Sequence, residues 1–142
     1  MTNETFWGKL DVITRKPQTT ESTVELTAML ALGYRENLEV IISCIDDPEH
    51  LGCSFQSYVD TQLGRLMLCY TSYEHAEKEK RHLPNGDDRT AVNATAKCRS
   101  ILDNVLKKPV IAGLSFNSDC RNAYIVPKEL LRIILRDVLQ MG

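Results

Sequence analysis

Three groups of residues have the chemistry to bind or to react. The loop Asp46-Asp47-Pro48-Glu49-His50-Leu51-Gly52-Cys53 places an imidazole, His50, and a thiol, Cys53, three residues apart, a donor pair that suits zinc or iron. Four ligands at a recognised spacing are missing, so the loop reads as a solvated connection shaped by Pro48 and Gly52, and no metal is assigned to it. Cys120 sits in Asp119-Cys120-Arg121, where Arg121 favours the thiolate that a nucleophile needs and Asp119 opposes it. It reads as an ordinary exposed thiol. His75 and His82, two helical turns apart with Glu79 between them, share a helix face and read as surface histidines. A nucleophile elbow G-x-S-x-G and the glycine-rich phosphate loops do not occur, Ser115 falls inside a strand, and Thr71 and Ser72 are better used as helix caps. No catalytic residue and no cofactor is assigned.

The elements that must position these groups belong to one domain. A chain of 142 residues with 43% hydrophobic and 25% charged residues can bury a single ordinary core. With 17 basic against 19 acidic side chains, the net charge is −2, which argues against a dedicated nucleic-acid binder. The five cysteines, Cys44, Cys53, Cys69, Cys98 and Cys120, are odd in number and contain no C-x-x-C pair, so a disulfide framework is not expected and a reducing cytoplasm is. Met1–Lys16 lacks the apolar core of an export signal, and no apolar run approaches the roughly 20 residues that span a bilayer.

Along the chain, Met1–Ser22 reads as an arm and loop. A helix follows from Ser22 or Thr23, with Ser22 as its cap and Glu25 three positions on, and Gly33 ends it. Leu38–Ile45 is β-branched and bounded by Asn37 and Asp46-Asp47-Pro48, the pattern of a buried strand. Phe55–Asp60 and Arg65–Tyr70 form a hairpin turning at Gly64, and Thr71-Ser72-Tyr73-Glu74 reads as a capping box opening a helix that Pro84-Asn85-Gly86 stops. Thr90–Lys107 places Ala94, Cys98, Ile101, Leu102 and Val105 on one helical stripe. Val110–Phe116 is a central strand, Asn122–Val126 a returning one, and Pro127 opens a last helix. The expected fold is α+β, one mainly antiparallel or mixed sheet of about five strands covered by helices.

Leu68-Cys69-Tyr70-Thr71-Ser72-Tyr73-Glu74-His75-Ala76, a strand running into a Thr-Ser helix start, resembles the N-terminal domain of the SseB (enhanced serine sensitivity) family. Val110–Asn117 (VIAGLSFN) followed by Asn122–Leu131 (NAYIVPKELL) is similar to that family's strand, Asn-containing turn, strand and closing helix. The resemblance runs from Leu38 to Leu139 and leaves residues 1–37 as an unmatched arm and helix. Where the family often has an Asn-Pro step this chain has Asn117-Ser118, and Tyr70 stands for the usual Phe. The resemblance implies a bacterial α+β domain of undefined biochemical role.

The functional expectation is a non-catalytic cytoplasmic module that binds a protein partner or a second copy of itself, and neither nucleic acid nor membrane. Its surface is drawn from Tyr70, Asn117 and Tyr124 on one sheet face, or from the final helix, whose apolar residues, including Ile133 and Leu139, form a stripe wider than one buried face needs. The alternative is a small enzyme or ligand binder using Cys120 or the His50/Cys53 loop.

Overall fold

The computed structural model describes residues 1–47, 52–55, 57–80, 91–118 and 123–141, and the side chains among them except those at 45–47, 52–55, 79–80, 91–92, 134 and 137–141. His50, His82, Cys120 and the rest of the 81–90 connection lie outside the described residues, as do the side chains of Cys53, Glu79 and Leu139.

The N-terminal segment is helical where an arm was expected. Helix α1 (Asn3–Thr14) is capped by Thr2, whose hydroxyl accepts the Thr5 amide, and it buries Phe6, Leu10 and Ile13. These three residues follow a 3–4 spacing that marks an amphipathic helix, diluted in the sequence by the polar residues between them. Helix α2 (Thr20–Arg35) begins before the expected start at Ser22 or Thr23, because Thr19 and Ser22 cap each other reciprocally. Nor does Gly33 end it. A Cβ there would stand 2.6 Å from the Phe6 ring and 2.9 Å from the Cys98 sulfur, so the glycine lets α1 and a later helix close on α2. The chain leaves the helical direction at Asn37, which takes a left-handed φ of 57°.

Strands β1 (Glu39–Asp47), β2 (Gly52–Phe55), β3 (Ser57–Asp60) and β4 (Gly64–Tyr70) follow. Gly64, at φ 104°, turns β3 into β4 as expected. Helix α3 (Tyr73–Lys80) opens with Ser72, whose hydroxyl accepts the His75 amide; the expected Thr71 cap is engaged elsewhere. The expected long helix over Thr90–Lys107 divides into β5 (Ala91–Lys97) and α4 (Cys98–Lys107). β5 pairs with β1 over seven residues, and this ladder overrides the helical preference of its alanines. β6 (Ile111–Phe116), β7 (Tyr124–Pro127) and α5 (Lys128–Met141) complete the chain.

All seven strands join one mixed sheet. β6 runs parallel to β4 and antiparallel to β7, and the other pairings are antiparallel. The fold is α+β, with two more strands than expected. Leu10, Leu26, Ile101 and Leu131 from α1, α2, α4 and α5 cover one sheet face, meeting Val40, Ile42, Met67, Leu114 and Phe116. On the opposite face α3 packs Ala76 against Ile41, Leu68 and Tyr70. No helix of the described residues is long and apolar enough to cross a membrane.

Candidate functional site

The parallel strands β4 and β6 end side by side, and their C-terminal ends carry the most connected polar cluster among the described residues. Asn117 follows β6 directly in a left-handed turn (φ 56°), a conformation asparagine tolerates better than most residues. Its backbone N–H donates to the Cys69 carbonyl (2.9 Å). Its side-chain oxygen accepts the Thr71 amide (3.0 Å), and its side-chain nitrogen donates to the Thr71 and Thr14 hydroxyls. Thr71 in turn donates to Asp11 Oδ1 (2.8 Å), which also faces His75 Nε2 at 3.5 Å. The other Asp11 oxygen holds Arg15 Nε at 2.7 Å. Helix α1, the α3 start and the turn after β6 thus converge on one network, with Asp11 at its centre.

Two cavities flank this network. The larger, of about 900 Å³, is lined by Arg15, Lys16, Tyr58, Asp60, His75 and Asn117 together with the 123–125 segment. A second, of about 450 Å³, lies between α1 and the α3 start, and Arg15 and His75 line it too. These two side chains form the ridge between the cavities. Tyr58 donates to the buried Ser115 hydroxyl, so its ring forms a fixed wall.

Three of the residues chosen from sequence are placed otherwise than a contact surface requires, Ile133 is exposed, and the Leu139 side chain lies outside the described residues. Tyr70, Asn117 and Tyr124 are 0%, 5% and 2% exposed, so they belong to the interior and not to an aromatic patch. Tyr124 spends its hydroxyl on Ser22 and Thr23 of α2. On α5, Leu131 and Leu135 are buried and Ile133 is 57% exposed. An isolated surface isoleucine is ordinary. Helix α5 packs against α2, α4, β6 and β7, and among its described side chains Leu131 and Leu135 make that contact. Cys44, Cys69 and Cys98 are buried thiols outside any disulfide, as expected of core fillers. Burial pushes the Cys98 thiol up to about 12 and pushes Cys69 up as well, with the neighbouring Cys98 a second, smaller cause. These two are not activated nucleophiles. No group of three or more His, Cys, Asp or Glu side chains that could hold a metal occurs among the described residues.

Sequence reasoning missed Asp11, Thr14 and Arg15. The available signal was the i,i+4 spacing of Asp11 and Arg15, which acquires meaning only once the segment is known to be a helix.

The two outer strands of the sheet are treated differently. On β7 the Gln18 carboxamide imitates a peptide group, donating to the Ile125 carbonyl (2.6 Å) and accepting the Ile125 amide (3.2 Å), while Pro127 has no N–H to offer. That edge is closed. On β5 the Cys98 amide donates to the Leu38 carbonyl, continuing the ladder with β1. By the alternation of antiparallel pairs, the N–H and C=O groups of Ala91, Asn93, Thr95 and Lys97 point away from β1. Among the described residues no strand pairs with this side of β5.

Compared with family models, with curated proteins and with solved structures, the chain matches none of them.

Proposed function

We propose that the chain is a non-catalytic, SseB-like interaction domain of the cytoplasm that associates with a second copy of itself through β5. The observation that carries this reading is the unequal treatment of the sheet edges: β7 is blocked by Gln18 and Pro127, and β5 presents seven residues without proline or glycine. Open edges of this length template strand pairing. The sequence of β5 is self-complementary. An antiparallel pairing about a two-fold axis at Ala94 sets Asn93 opposite Thr95 and Ala91 opposite Lys97, so no like charges meet and Lys97 is the one long side chain. The family likeness is supported by the meeting of its two quoted segments, which lie on adjacent strands and are joined at Thr71 and Asn117. Buried thiols outside any disulfide suit a reducing compartment.

Size-exclusion chromatography with light scattering tests the reading. The expected result is a dimer that Thr95→Pro converts to a folded monomer, because the Thr95 amide points away from β1 and its loss leaves the sheet intact. A monomer at every concentration, or a Thr95→Pro protein that remains dimeric with unchanged stability, overturns it.

A further inference from the structure

We propose that the 900 Å³ cleft at the ends of β4 and β6 binds a small molecule bearing one oxyanion, a carboxylate or a phosphate ester, on a partly apolar body, with Arg15 as the anion-binding residue.

Arg15 is anchored by an acidic neighbour. Its Nε is engaged by Asp11 at 2.7 Å, and Asp11 is itself fixed by Thr71 and faced by His75. The guanidinium is therefore oriented from one edge, while its terminal nitrogens have no other partner among the described residues and the side chain is 73% exposed. A guanidinium presents its donors as a planar fork, matched to the two oxygens of a carboxylate or phosphate, and fixing the fork in advance reduces the ordering cost of binding.

The charges around the cleft favour an anion. Among the described lining residues two cations, Arg15 and Lys16, face it against one carboxylate, Asp60, whose Oδ1 already accepts the Gln62 and Leu63 amides in its own turn. Lys16 leans outward to Glu25 and leaves Arg15 as the principal donor. The remaining wall, formed by Pro17, Tyr58, Ala123 and Ile125, is apolar or aromatic and rigid, since Tyr58 is tied to Ser115 and the 125 backbone to Gln18. The volume falls in the range of small-ligand sites, and the place, beyond the C-terminal ends of parallel strands, is where open sheets commonly bind ligands. The smaller neighbouring cavity is the poorer candidate, because Glu4, Asp11 and Glu74 line it.

The test is a titration of the full chain, followed by nuclear magnetic resonance, with benzoate, phenyl phosphate and the neutral isostere benzamide. Saturable shifts at the Arg15 side-chain Nε–H and at the Gln18 and His75 amides are expected with one or both anions and not with benzamide. Which anion binds tighter distinguishes carboxylate from phosphate ligands. Arg15→Gln is expected to weaken binding about tenfold, the loss of one charge-assisted contact. Lys9→Gln, on α1 but outside the cleft, leaves binding unchanged. Equal shifts with benzamide, no saturable shift with either anion, or full binding by a folded Arg15→Gln protein overturns the proposal. The association of β5 strands is read separately and does not bear on this outcome.

Discussion

At the residue scale, one carboxamide ties together segments about a hundred positions apart. Asn117 joins the end of β6 to Thr71 after β4 and to Thr14 of α1. Asn117→Ala removes all three side-chain contacts, leaves the buried Thr71 amide without its acceptor and keeps a Cβ in a left-handed turn. At about 1 kcal/mol for each hydrogen bond, with the strain added, the expected destabilisation is about 3–4 kcal/mol in urea denaturation. Asn117→Gly loses the same contacts but not the backbone compatibility, and is expected to be about 1 kcal/mol less damaging. Equal losses for the two variants would show that the left-handed backbone contributes nothing. The sequence marked Asn117 through its place in a quoted motif, but it was assigned to a surface; that its partners were Thr14 and Thr71 required the helices to be placed first.

The elements were legible in proportion to how local their causes are. β1, β4 and β6 carry continuous apolar runs, and Gly64 a turn requirement, so the sequence located them to within two residues at most ends. β5 was misread because its alternation, Val92, Ala94 and Ala96 against Asn93, Thr95 and Lys97, is carried by small residues that fit a helix equally well. Only the partner strand β1 decides between them. Gly113 illustrates the same dependence. A Cβ on it would overlap the Val126 carbonyl oxygen and crowd Pro127, backbone that cannot swing aside. Gly113→Ala is expected to cost about 2–3 kcal/mol and to loosen the β6–β7 pairing, visible as faster amide exchange at Tyr124 and Val126. Unchanged exchange there would contradict this register.

For the whole molecule, the raised thiols link the core to pH. Cys69 and Cys98 stay protonated in the folded protein to higher pH than in the unfolded chain, where a thiol ionises near pH 8.5. Above that value the unfolded state binds fewer protons than the native state, so stability falls as pH rises, at up to about 1.4 kcal/mol per unit for each thiol. Their contribution is complete below pH 8.5 and declines steadily toward pH 12. Urea midpoints measured between pH 8 and 11 are expected to fall, and to fall less steeply in Cys98→Ala at its own baseline stability. Identical slopes would remove Cys98 as a source.

The chain by itself determined an α+β class, the apolar strands that form the sheet centre, the buried character of Cys44, Cys69 and Cys98, and the closing helix, because each follows from composition or from a pattern within a dozen residues. Only the tertiary structure decided that the N-terminal segment is a core helix, that β5 is a strand whose outer side pairs with no strand among the described residues, and that Asp11, Arg15, Thr71, His75 and Asn117 form one cluster. The physical reason is the same in each case. Strand pairing and polar clustering are contacts between residues far apart in the chain, and the side chains that make them carry no local signature until the backbone has brought them together.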